Sequence, residues 1–120
     1  MDSSTTVSVL RQRVEKFRDE RDWRRFHNPK DLSIALSIES SELEEVFLWK
    51  NNAEIKLLSR DNIQLERVAD EMADIAIYLL SLSSVLKVDL SNAIDRKLTQ
   101  NERKYPVGKS KGSSKKYNEL

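Results

Sequence analysis

The chain contains no cysteine, which excludes a disulfide framework and any thiolate metal site. A single histidine, His27, excludes a di-iron bundle, which requires two Glu-x-x-His motifs. Glycine and proline are scarce: Gly108 and Gly112 lie near the C-terminus, and the only prolines are Pro29 and Pro106. The first 107 residues therefore have no glycine with which to make tight turns, which argues against a β-rich fold and for long helices joined by short connections. Long apolar runs are missing too. The longest, Ile75 to Leu80, is far too short to span a bilayer, and the first 20 residues lack the apolar stretch of a signal peptide. The expected address is a reducing, soluble, cytoplasmic compartment with no membrane partner.

A length of 120 residues fits one domain. The net charge of +1 is unevenly placed: residues 107–120 carry +3, leaving −2 for residues 1–106. A basic tail of this kind either solubilises a terminus or touches an acidic partner or nucleic acid. Composition favours the first, and nucleic acid is not an expected partner. Residues 1–106 are expected to form the folded domain, with 107–120 a disordered tail.

Apolar spacing predicts a first helix from about Thr6 to Trp23, with Val7, Leu10, Val14 and Phe17 on one side. Asn28 followed by Pro29 predicts the start of a second helix, running to about Lys50. A short piece over Ala53 to Leu58 precedes a third helix from Asp61 or Asn62 to about Leu86. A fourth begins at Asp89 or Ser91 and runs to about Lys104. The fold class is all-α, resembling a four-helix bundle. Between Met72 and Leu86 apolar residues surround nearly the whole third helix. A helix apolar all round needs burial on every side, which points to a homo-oligomer.

The third and second helices also carry four carboxylates in two i, i+3 pairs: Glu39 with Glu42, and Glu71 with Asp74. Residues three apart share a helix face, ~4.5 Å apart along its axis. Two such pairs facing each other would gather four oxygen-bearing groups whose charges repel, by about 4 kcal/mol per pair at ~4 Å and an effective dielectric of 20. A hard divalent cation neutralises such a cluster with oxygen ligands alone. Salt bridges to Lys or Arg are the competing fate, but Glu39 has no basic residue three or four positions away. Trp23, His27 and Trp49 stand at helix ends, where aromatic rings either stack on a nucleobase or simply pack a boundary. Lys97 and Asn101 are one turn apart and could reach one phosphate, or merely face solvent. No glycine-rich phosphate loop is present.

The pattern E-x-x-E, 28 residues, then E-x-x-D resembles the all-α nucleoside triphosphate pyrophosphatases, the MazG-like family, and especially its dCTP-hydrolysing members. The resemblance runs over roughly residues 17–106, through RDERDWRRFHNPKDL, ELEEVFLWK, DEMADIAIYLL, VDLSNAI and NERKYP. It implies that Glu39, Glu42, Glu71 and Asp74 bind Mg²⁺, with Mn²⁺ a substitute. It implies that Trp23, His27, Trp49 and Tyr78 enclose base and sugar, and that Lys97 and Asn101 bind phosphate with Tyr105 nearby. The implied reaction is attack of water on the α-phosphorus of dCTP or a related pyrimidine nucleotide. Its products are a monophosphate and pyrophosphate, in cleansing of the nucleotide pool. Glu39, Glu42, Glu71, Asp74 and Lys97 would form the catalytic set. The implied assembly is a tetramer built as a dimer of dimers, or a dimer, with sites shared between subunits. One departure is Ser-Ile-Glu-Ser-Ser-Glu at 37–42, where relatives often carry Gly-Glu-Val-Gly-Glu. The competing class is a non-catalytic helical oligomer that binds nucleotide or a protein partner.

Overall fold

The computed structural model describes residues 1–120, and every regular element is helical. The long helices are α1 (Val7–Glu20), α2 (Pro29–Phe47), α4 (Asn62–Val85) and α5 (Leu90–Lys104). Shorter pieces are α3 (Asn52–Leu57), α6 (Val107–Ser110) and 3₁₀ turns at Arg24–Phe26, Leu58–Arg60 and Tyr117–Glu119. The chain forms two compact units, Met1–Lys87 and Val88–Leu120. No helix is long and apolar enough to cross a membrane.

Side-chain caps set the helix starts. Asn28 accepts a hydrogen bond from the Asp31 backbone N–H at 2.9 Å, with Pro29 in the first turn, as the sequence predicts. Asp61 caps α4 through the Gln64 N–H, and Asp89 caps α5 through the Asn92 N–H. In each case the carboxylate wins over the later Asn or Ser, because it satisfies an orphan donor with a full negative charge at the positive end of the helix.

The first helix ends at Glu20, three residues before the expected Trp23. The Trp23 N–H reaches back to the Arg18 carbonyl at 3.1 Å and the Asp22 N–H to Asp19 at 3.1 Å. With Asp22 at φ 54°, this is a Schellman closure. Its left-handed residue is usually glycine; here it is aspartate, so no glycine marks the stop.

Within the first unit α2 packs along α4, and α1 packs on α4 as well. The buried apolar side chains are Leu32, Val46, Leu58 and Leu80, each contributing about 2 kcal/mol by leaving water. Phe17, on the apolar side of the first helix, is half exposed, and Met72 on α4 is 58% exposed. One copy of the chain therefore leaves much of the apolar circumference of α4 uncovered.

Within the second unit, residues 107–120 carry α6 and the 3₁₀ turn where composition alone predicts disorder. The Tyr117 ring packs edge-on against Tyr105, centroids 6.1 Å apart at 85°, and Lys104 Nζ lies 4.8 Å from the Tyr117 ring centre. This clasp joins residues twelve apart, a pairing that composition cannot reveal.

Candidate functional site

The pairing of α2 with α4 brings three of the predicted carboxylates together. One oxygen each from Glu39, Glu42 and Glu71 lie within 4.8 Å of one another. Glu39 and Glu71 are half-buried and Glu42 is exposed. Asp74 stands one turn beyond Glu71 on the same face of α4, exposed, and is not among the oxygens that close to 4.8 Å. Its charge still acts on both Glu39 and Glu71.

The electrostatics follow from that crowding. Burial, then the hydrogen bond and charge of Glu42, then the charges of Asp74 and Glu71, push the Glu39 carboxyl up to about 7. Burial first, then the Glu42 and Asp74 charges, raise Glu71 as well. No cation of the chain relieves them, since every ion pair falls between residues 11 and 31. Glu39 Oε2 and Glu71 Oε2 are both buried without a hydrogen-bond partner. Buried polar atoms are ordinarily satisfied. Two orphaned carboxylate oxygens facing one cluster, with no thiolate or imidazole among them, fit a hard divalent cation.

A second group gathers at the end of α1. Trp23 and His27 have ring centroids 6.2 Å apart, and Phe17 meets Trp23 edge-on at 5.8 Å. Phe17 thus joins Trp23 and His27 in one aromatic row. Burial, then the Arg18 charge, lower the pKa of His27, and its Nδ1 is buried without a partner. The turn carrying this row is braced by Asp19. Its carboxylate accepts from Arg18 Nε at 2.8 Å and from Arg24 Nε and Nη2 at 3.3 and 3.0 Å. Those hydrogen bonds, Arg18's first, hold Asp19 down at about 2. Arg18 itself is only 5% exposed, and nothing in the sequence pattern marks this brace.

Trp49 occupies an unusual position. It sits at φ 64° in a turn closed by Lys50 N–H to the Phe47 carbonyl at 3.1 Å, and is 91% exposed. A bulky side chain in the left-handed region is costly, and such strain clusters at functional sites. Tyr78 is half-buried on the face of α4 that carries Glu71 and Asp74. In the second unit, Lys97, Asn101 and Tyr105 follow one another at single-turn spacing along α5 and its C-cap. Lys97 is exposed and Asn101 half-buried.

The chain is similar to known proteins. The model of the MazG-like family matches residues 34–120. The chain is 38% identical to dCTP pyrophosphatase 1 of Bos taurus over 98% of its own length and 70% of that protein. It is 36% identical to dCTP pyrophosphatase 1 of Homo sapiens over 96% of its length and 68% of that protein. A crystal structure of a pyrophosphatase from Archaeoglobus fulgidus superposes with a TM-score of 0.74 at 40% identity. That match covers 81% of this chain and 89% of the other.

Proposed function

The chain belongs to the MazG-like family, and on that premise we propose that it is a nucleoside triphosphate pyrophosphatase. Its substrate would be dCTP or a related modified pyrimidine nucleotide. The observation that carries the reading is the convergence of Glu39, Glu42 and Glu71 oxygens within 4.8 Å, uncompensated by any cation of the chain. The names of the relatives, dCTP pyrophosphatases and a pyrophosphatase, support the reaction class.

The residues that would hold Mg²⁺ are Glu39, Glu42 and Glu71, with Asp74 completing the set from the same face of α4. When bound, the ion supplies positive charge to the phosphoryl oxygens and acidifies the attacking water. A cluster carboxylate, Glu39 or Glu42, takes the proton of the water that attacks the α-phosphorus. Lys97 and Asn101 hold the phosphates, Lys97 as a point charge that stabilises charge developing there. Trp23 and His27, ring beside ring, form with Trp49 and Tyr78 the enclosure for base and sugar, and Tyr105 stands by the phosphates. The neutral form of His27, favoured by its burial, suits contact with an uncharged base.

Assembly belongs to the same reading. A groove of about 450 Å³ between α1 and α4 is lined by Leu10, Val14, Phe17, Ala76 and Ile77, on faces that an isolated copy leaves open. A second copy of the chain covers it in a homo-oligomer, a tetramer ahead of a dimer.

The test is a panel of deoxynucleoside triphosphates with Mg²⁺, followed by product analysis. The expected products are monophosphate and pyrophosphate, fastest from dCTP or a modified relative. Release of orthophosphate and diphosphate would overturn the assignment of the bond cleaved.

A further inference from the structure

The second unit carries cations that have no ion-pair partner. Residues 107–120 hold four lysines against one glutamate, and no residue of Val88–Leu120 takes part in an ion pair. Like charges disperse a flexible segment, yet this one is held by the Tyr105–Tyr117 clasp. The helix dipole accounts for Arg103 and Lys104, which lie in the last turn of α5. It does not account for Lys115 and Lys116, which lie outside the helix and next to Tyr117 in the fold-back.

The landing point of the clasp is informative. At about 100° per residue, Lys97, Asn101, Lys104 and Tyr105 fall within one arc of roughly 100° on α5. The clasp therefore closes the far end of the face that begins with Lys97, about 10 Å along the helix from it. Lys115 and Lys116 directly precede Tyr117, so their Cα atoms are within about 8 Å of its own. The rings themselves are engaged: Tyr117 meets Tyr105 edge-on and has Lys104 against its face. Base stacking on a single strand would use the ring faces, and the Tyr117 face is occupied by Lys104. It presents ammonium groups instead, the point-charge donors suited to phosphate.

We propose that Lys115 and Lys116, carried toward the C-terminal end of α5 by the Tyr105–Tyr117 clasp, are further binding residues for the triphosphate of the substrate. They extend the strip begun by Lys97 and Asn101. The proposal rests on the nucleotide reading above and makes the tail part of the binding surface.

The experiment uses the intact chain with three variants: Lys115→Gln with Lys116→Gln, Tyr117→Ala, and Tyr117→Phe. The first removes charge and leaves the clasp, the second releases the clasp, and the third keeps its ring. The double lysine variant and Tyr117→Ala should each raise KM for dCTP about fivefold and flatten its dependence on salt, with kcat changed by less than about twofold. Tyr117→Phe should behave as wild type. Binding of inorganic tripolyphosphate, followed by calorimetry, should weaken in parallel with KM. That measurement needs no turnover, so it separates the two readings. If no nucleotide yields pyrophosphate but tripolyphosphate binding still falls in both variants, the reaction class is wrong and the phosphate site stands. Unchanged tripolyphosphate binding in both variants overturns the proposal, as does loss of single-stranded DNA binding with KM unmoved.

Discussion

Glu39 on α2 and Glu71 on α4 each bury an Oε2 that no donor of the chain reaches, on opposite sides of one helix–helix contact. Each carboxylate is thereby held above its ordinary value of 4.5 by burial, with the neighbouring acids adding to it.

The first prediction concerns pH. Folding raises Glu39 from 4.5 to about 7, so between those values the folded chain holds a proton that the unfolded chain has released. Stability of the metal-free protein is therefore fully present below about pH 4.5 for this group and falls as pH rises toward and through about 7. Divalent cation reverses the trend, because it binds the deprotonated cluster. Melting temperature followed from pH 5 to 8, with chelator and with Mg²⁺, checks both slopes. His27, whose pKa burial lowers, contributes the opposite slope, so the Glu39 share is read in chelator as the difference between the native chain and Glu39→Gln. A difference that does not change with pH would contradict the assignment of Glu39 as a crowded acid.

Glu71→Gln separates ligand from scaffold. The substitution should lower turnover by about a hundredfold or more while leaving the metal-free melting temperature equal or higher, because a repelling charge is gone. It should also abolish the stabilisation by Mg²⁺, which for the native chain is about 2.7 kcal/mol at a hundred times Kd. A variant that unfolds yet keeps its turnover per folded molecule would make Glu71 a structural residue.

Trp49 offers a trade between stability and binding. Replacing it by glycine at φ 64° removes a steric penalty and should stabilise the chain by up to about 1 kcal/mol. The same change removes an exposed ring expected to cover the base, so KM for dCTP should rise. Chemical denaturation and steady-state kinetics on Trp49→Gly and Trp49→Ala together decide this. A destabilised glycine variant with normal KM would show that the ring packs on the protein instead.

Assembly is tested at the α1–α4 groove. Light scattering at micromolar concentration should report a tetramer or dimer, and Ile77→Glu should yield a smaller species. Wild-type protein that scatters as a monomer would remove the role assigned to that groove.

Much of this was legible because local chemistry decided it. Asn28 with Pro29 could only open a helix, and the i, i+3 spacing of Glu39 with Glu42 fixed their shared face before any partner helix was known. What escaped depended on contacts distant in sequence or on unusual residues at common positions. Asp22 closes α1 in a place usually reserved for glycine. Asp19 collects two arginines, but acidic and basic neighbours on a helix rarely announce such a brace. Tyr117 finds Tyr105 across a lysine-rich stretch whose composition points to disorder. Asp74, placed in the cluster by spacing, projects from the same face as Glu71 but does not close with the other three.

The small core has a consequence for how the protein comes into being. Leu32, Val46, Leu58 and Leu80 are its buried apolar side chains, a slender interior for a chain of 120 residues. With assembly through the α1–α4 groove, a large share of apolar burial waits on collision with another copy. On the proposed assembly, folding would be a second-order process: refolding would slow on dilution, the thermal midpoint would track protein concentration, and newly made chains in a sparsely expressing cell would remain exposed to chaperones and proteases longer than those in an abundant one.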